Sequence, residues 1–239
     1  MLPAGPHISR HPSSRRMPPL AQNHSPAAEA PQPERHFIPF PENDGKIPVT
    51  YPTFIAEPFR DTKMPLPPVI LVNEKDEPVG TMEKLEAHQK GLLHRAFSVF
   101  IINDDGQMLL QQRAADKYHS AGLWTNTCCS HQLPGEDTPA AAHRRLSEEM
   151  GFDCDLEELF SFTYRAEFDN GLTENEFDHV LLGTYNGPVA PDPAEVQAHR
   201  FLSLADIRAE LASQPGLYTH WFHIAFPKIA AFIEARRAG

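Results

Sequence analysis

Apolar residues in this chain fall into short runs broken by turn residues, and the period of those runs predicts the elements. Val69-Ile-Leu-Val72 reads as a short strand, ended by the turn residues Asn73 to Asp76. Glu83 to His88 reads as a short helix or structured loop carrying Lys84 and His88. His94 to Ile102, rich in aromatic and β-branched residues, reads as a strand, which Asp104-Asp105-Gly106 turns into Met108–Gln112 as a hairpin. Arg113 and Lys117 are expected in a loop leading to Trp124.

Thr138-Pro139 predicts a capped helix start with an early proline, and Gly151 its end. At about 100° per residue, Ala142, Leu146 and Met150 form one stripe; Glu149 falls within its arc and Glu148 projects off it. A carboxylate aimed at the protein body is costly unless paired or metal-bound, which singles out Glu149. Phe160–Phe168 and Leu172–Tyr185 read as a second hairpin around Asp169-Asn170-Gly171. A two-residue Asn-Gly turn would set Arg165 opposite Glu176. A three-residue turn with Gly171 left-handed would set Tyr164 opposite Glu176 and Ala166 opposite Glu174. The second is expected, because it brings the phenol and both carboxylates to one face. Asp206–Ala212 and Phe222–Arg237 read as closing helices, with Trp221 at the entrance of the last.

Composition divides the chain. Sixteen of its 24 prolines lie in residues 1–68, which predicts a disordered or polyproline-like tail and leaves residues 69–239 for one domain. Residues 1–28 contain no acid but include Arg10, Arg15 and Arg16, faintly like a transit peptide. The prolines spoil an amphipathic helix there, so a solvated tail, or a start at Met64, is the expected reading. A formal charge of −11 argues against nucleic acid as partner. An anionic substrate would need metal ions or a local cluster of Lys and Arg. Three cysteines, two of them adjacent, are no disulfide framework and suit a reduced, cytoplasmic setting. No run approaches the roughly 18 apolar residues of a membrane span.

Chemistry concentrates between Trp124 and Gly151, where Cys129, His131 and an acidic helix follow one another. His88, His94 and His131, with Glu174 and Glu176 on one strand face, would suit a divalent ion that takes more than four ligands, Mn²⁺ or Mg²⁺, better than tetrahedral zinc. Each residue also has an ordinary reading: the chain has 13 histidines, small buried thiols are common, paired glutamates often line a solvated face, and Trp221 could be core. Residue types alone stop at a metal-dependent enzyme acting on a phosphorylated small molecule.

Cys129-Ser130-His131, Glu136 and Arg144–Gly151 resemble a Nudix box: Glu136, Arg144, Glu148, Glu149 and Gly151 match, while Ser130 stands for its glycine and Arg145 for a glutamate. Those departures speak against diphosphate hydrolysis. Gly80-Thr-Met-Glu-Lys84-Leu-Glu-Ala-His88, Gly91-Leu-Leu-His94, Trp124-Thr-Asn-Thr-Cys-Cys-Ser-His131 and Glu174-Asn-Glu176 resemble, in order and kind, the type I isopentenyl-diphosphate isomerases over residues 69–237. The loop Tyr118–Gly122 departs from that family in lacking its aromatic and proline.

The resemblance implies an α+β fold, an α/β/α sandwich with a mixed central sheet flanked by helices. It implies Cys129 as catalytic thiol, Glu176 as its partner across the substrate, Tyr164 hydrogen-bonded to that carboxylate, and Trp221 as an aromatic lid. His88, His94, His131, Glu174 and Glu176 would cage a first metal, Mn²⁺ or another divalent ion. Glu149 would bind a second, Mg²⁺, arriving with the substrate diphosphate. Lys84, Arg113, Lys117 and Arg145, with Ser130 beside them, would clamp the diphosphate. The implied reaction moves a double bond through a tertiary carbocation, with Glu176 donating a proton and Cys129 removing one, in a monomer or weak homodimer. The rivals are a Nudix-type hydrolase, which intact Glu136, Glu148 and Glu149 allow, and a metal-stabilised binding module with a partner-recruiting tail.

Overall fold

The computed structural model describes residues 66–238, so the expectations for residues 1–65 lie outside it. Strand β1 (Pro68–Val72) pairs with β2 (Pro78–Glu83), which runs directly into helix α1 (Lys84–Lys90). There follow β3 (His94–Ile102), β4 (Gln107–Arg113), β5 (Trp124–Thr125), β6 (Cys128–Ser130), α2 (Thr138–Met150), β7 (Leu156–Glu167), β8 (Thr173–Thr184), β9 (Val196–Ser203), α3 (Leu204–Ser213) and α4 (His220–Ala238). The strands form one mixed sheet. Its centre is a parallel pair, β3 with β8, in register from His94 opposite Glu176 to Ile102 opposite Thr184.

The side chains of these strands alternate, and each face buries a different helix. Phe97, Val99, Ile101, Leu109 and Leu181 pack with Ala142, Leu146 and Met150 of α2. Their neighbours Phe100, Met108, Leu110, Val180 and Leu182 pack with Phe222, Phe226, Ile229 and Ile233 of α4 and Ile207 of α3. This is the expected helix–sheet–helix sandwich. Leu146 is fully buried. Replacing it by alanine should therefore cost about 2–5 kcal/mol of stability, read as a lower urea midpoint with an unchanged slope.

Helix α2 spans the expected residues with one adjustment. Asp137 is its N-cap, accepting from the Ala140 amide at 2.8 Å, and Pro139 sits in the first turn. Gly151 ends it at φ 75°, and a β-carbon there would lie 2.3 Å from the Ala190 carbonyl oxygen. Both the backbone angle and the close approach require glycine. The β7–β8 turn follows the three-residue reading: Gly171 has φ 80°, Tyr164 lies opposite Glu176, and Ala166 opposite Glu174.

Three local expectations fail. Arg113 is the last residue of β4, not a loop residue, because β4 continues along β9 as far as Val196. Strands β2 and β9 were not expected: β2 begins with Pro-Val-Gly, and β9 reads Val-Gln-Ala-His-Arg-Phe-Leu-Ser, neither with clean alternation. Both are recruited by pairing with an apolar neighbour, β1 and β4 respectively. The β3–β4 hairpin pairs only at Ile101–Leu109 and Ile102–Met108 before the strands part. Thr127 wedges between them, its hydroxyl donating to Leu109 O at 2.7 Å and accepting from the Ile101 amide at 3.0 Å. That opening admits β6 beside β3.

No helix among the described residues is long and apolar enough to cross a membrane.

Candidate active site

Strand β6 divides two adjacent cysteines. Cys128 is fully buried on the α2 face, while Cys129 faces the other way and packs with Tyr164 and Trp221. On that same face β8 presents Glu174 and Glu176, two residues apart, and His94 opens β3 beside Glu176. His88 comes from α1, and His131 from just beyond β6.

These side chains converge. Nitrogens of His88, His94 and His131 and an oxygen of Glu176 all lie within 4.8 Å of one another. His131 Nε2 is 3.0 Å, and His94 Nε2 3.6 Å, from Glu176 Oε1. Glu174 joins through His88, whose Nε2 is 3.3 Å from Glu174 Oε2. His88 Nδ1 donates to the Lys84 carbonyl at 2.6 Å and His94 Nδ1 to the Leu92 carbonyl at 2.8 Å, so backbone holds both rings with Nε2 turned inward. His88 Nε2, His94 Nε2 and Glu174 Oε2 are buried with no hydrogen-bond partner. Buried polar atoms left this way are costly; a divalent cation among His88, His94, His131 and Glu176 would satisfy the two nitrogens, while Glu174 falls in an overlapping group with His88 and His119. The residues therefore form a His/Glu group fitted to a metal ion.

Charge agrees with that fit. Burial, reinforced by Lys84, pulls His131 down to about 3, so the ring is neutral. Burial and the neighbouring Glu174 push Glu176 up, but the imidazoles of His131 and His94 prevail and hold it below the usual carboxylate range. Burial likewise opposes ionisation of Glu174, and His119 and His88 overcome it.

Beside this group lies a small cavity of about 40 Å³, lined by Cys129, Glu176, Tyr164, Trp221, Lys84 and Arg113 among others, Ser130 included. The Tyr164 hydroxyl donates to Glu176 Oε2 at 2.6 Å, as the resemblance implied. Trp221 is fixed by its Nε1 donating to Asn126 Oδ1 at 3.1 Å, and the Arg113 guanidinium lies 5.4 Å from its ring centre. Arg113 also reaches Cys129 Sγ at 3.8 Å. Burial pushes the Cys129 thiol up to about 12 against that guanidinium, so the sulfur carries its proton.

Not every expected residue joins the cavity. Lys117 and Arg145 lie outside it, paired with Glu195; Arg145 Nη2 is 3.1 Å from Glu195 Oε1 and 2.6 Å from Glu149 Oε1. Glu149 is buried, as its helix position required, while Glu148 is exposed. It sits on the α2 side of the sheet, held by Arg145 and by Gln111 Nε2 at 3.2 Å, apart from the His/Glu group. Of the expected diphosphate clamp, Lys84, Arg113 and Ser130 thus line the cavity, while Lys117 and Arg145 rest on the carboxylates of Glu195 and Glu149.

Two site residues escaped the sequence reading. Asp178 continues the acidic face of β8 and accepts from Ser98 Oγ at 2.9 Å; burial and Glu176 raise it well above the usual range. The alternation Glu174, Glu176, Asp178 was the signal for it. His119, in the loop after β4, places Nε2 at 2.9 Å from Glu174 Oε1 and carried no such signal. A larger cleft, about 740 Å³, opens at Cys154, Ile233 and Arg236, but none of the His/Glu group lines it.

Fold and site together define a NUDIX-type domain: the NUDIX domain family model matches residues 92–222. The crystal structure of DR0079 from Deinococcus radiodurans shares the fold, with a TM-score of 0.52, 20% identity, and 62% of this chain and 90% of that one covered. The isopentenyl-diphosphate Delta-isomerase of Pectobacterium atrosepticum is 50% identical over 172 residues, 72% of this chain and 96% of that protein. That of Burkholderia multivorans is 51% identical over 155 residues, 65% and 88% of the two chains. This chain belongs to the type I isopentenyl-diphosphate Delta-isomerase family of the NUDIX superfamily.

Proposed function

We propose that this protein converts isopentenyl diphosphate to dimethylallyl diphosphate, in a cytoplasm whose reducing conditions suit its three free cysteines. One observation carries the reading: Cys129 and a Tyr164-bonded Glu176 line the same small cavity against a His/Glu group fitted to a metal. The double bond moves when a proton is added at the terminal alkene carbon and another leaves the carbon beyond the tertiary centre. A thiol and a carboxylate that share one proton between them can do both, provided they address opposite faces of the chain. Glu176 would donate the first proton and Cys129 remove the second, the roles reversing in the back reaction.

The tertiary cation between the two steps needs negative charge and dryness. Glu176 supplies the charge. The indole of Trp221 can supply a cation–π contribution, about 2 kcal/mol or more when desolvated. Lys84 and Arg113, with Ser130, would hold phosphate oxygens at the cavity mouth. Lys117, Arg145 and Glu149 would join them, with a Mg²⁺ carried by the diphosphate, once Glu195 and Glu149 give up their ion pairs. A cation in the cage, Mn²⁺ or another divalent ion held by His88, His94, His131, Glu174 and Glu176, would favour the ionised form of its carboxylate ligands. At about 40 Å³ the cavity holds only one or two waters, so a five-carbon chain enters when the side chains at its mouth move aside.

Incubating the purified chain with isopentenyl diphosphate and Mg²⁺ and identifying products should yield dimethylallyl diphosphate and no free phosphate. Phosphate release without the isomer would overturn the proposal in favour of a hydrolase.

A further inference from the structure

The two acidic members of the cage are held in the same way, and His119 is one of the holders. Glu176 gives Oε2 to the Tyr164 hydroxyl at 2.6 Å and turns Oε1 toward His131 and His94. Glu174 gives Oε1 to His119 Nε2 at 2.9 Å and turns Oε2 toward His88, where it is buried without a hydrogen-bond partner. In each carboxylate one oxygen is tied back and the other faces the imidazoles.

His119 is built to do this. Its residue is 8% exposed. Its ring stacks on Phe168, with centres 5.1 Å apart and planes at 18°, and meets Tyr118 edge-on at 4.6 Å. Its carbonyl accepts from Arg113 at 3.3 Å, and with the proton on Nε2 its Nδ1 can accept from Ser120 Oγ at 3.4 Å. The ring is thus clamped by packing, with one N–H aimed at Glu174. A carboxylate without that donor could turn and present both oxygens to the ion, or swing to Lys84, which also lines the cavity.

We propose that His119 is a positioning residue for the metal cage: by donating to Glu174 Oε1 it presents Oε2 alone as a ligand. The proposal rests on the reading of the cage as a metal site. It also competes with a direct role, because nitrogens of His88 and His119 and an oxygen of Glu174 form a second group close enough to share an ion.

The test is Mn²⁺ titration of the full chain, wild type against His119→Phe and His119→Gln, with hyperfine spectroscopy of the bound ion. Phenylalanine keeps the stacking on Phe168 and removes the N–H; glutamine keeps a donor. His119→Phe should weaken Mn²⁺ binding about 10- to 100-fold and His119→Gln should recover most of it, as expected for loss and restoration of an outer hydrogen bond. The ion should show three imidazole nitrogens in the wild type and in both variants. Binding by His119→Phe within about threefold of wild type would overturn the proposal, since an outer hydrogen bond is worth more than that. Equal weakness of the two variants would overturn it by making packing the cause, and a fourth nitrogen lost on substitution would do so by making His119 a ligand. A wild type that binds no Mn²⁺ would remove the metal reading and this inference together.

Discussion

Cys129→Ala should lower isomerase turnover by about 10²- to 10⁴-fold, the range expected when a positioned proton-transfer group is deleted. Cys129 lines the cavity with Glu176 and Trp221, and it is not one of the converging metal-ligating groups. Mn²⁺ binding and the melting temperature should therefore stay close to wild type while turnover collapses. Cys128→Ala is the matched control. Its sulfur is fully buried on the α2 face, one strand position and one side of the sheet away. That change should cost stability of about 1 kcal/mol and leave turnover per folded molecule nearly intact. The measurement is steady-state conversion of isopentenyl diphosphate; a Cys129→Ala enzyme as active as the Cys128→Ala control would remove the thiol from the mechanism.

Glu176→Gln should do more, because one side chain serves two ends. Oε2 accepts from Tyr164, and Oε1 sits among His131 and His94. An amide of the same size keeps the packing but neither accepts a proton in the working range nor brings charge to a cation. Turnover should fall by about 10⁴-fold, the upper end for a proton-transfer group. Metal affinity should fall with it, by at least the roughly 10- to 100-fold seen when groups around a metal are altered. Calorimetric Mn²⁺ titration beside the activity assay separates the two losses. Wild-type metal affinity in Glu176→Gln would show that Glu176 serves proton transfer alone and that the cage closes without it.

Much of this architecture was legible because it is local. The α2 helix is written in Pro139, Gly151 and the Ala142–Leu146–Met150 stripe, and the β7–β8 register follows from one left-handed glycine at 171. Once that turn is set, Tyr164 and Glu176 must face each other, since strand partners are counted from the turn. The burial of Glu149 was legible from helix geometry, but its partner was not. Arg145 and Gln111 meet it only because α2 lies against β4, and that packing is nonlocal.

The residues missed share a cause. β9 is polar and becomes a strand only because β4 offers an unpaired edge. Arg113 counts as a loop residue until β9 extends β4 to meet it. His119 stands in a loop with no periodicity, and nothing in Tyr118-His-Ser-Ala-Gly122 says that this ring will reach Glu174, far along the chain.

By itself, the order of residues determined which side chains could do chemistry and which of them share a strand or helix face, because turns, caps and alternation act within a few residues. Tertiary structure alone decided that His88, His94, His131 and Glu176 meet around one point, that Cys129 looks into the cavity and Cys128 away from it, and that Lys117 and Arg145 rest on carboxylates. Those outcomes depend on how β3 parts from β4 around Thr127 and takes β8 as its parallel neighbour. Contacts of that range are set by burying both faces of the sheet at once, which no short stretch of sequence encodes.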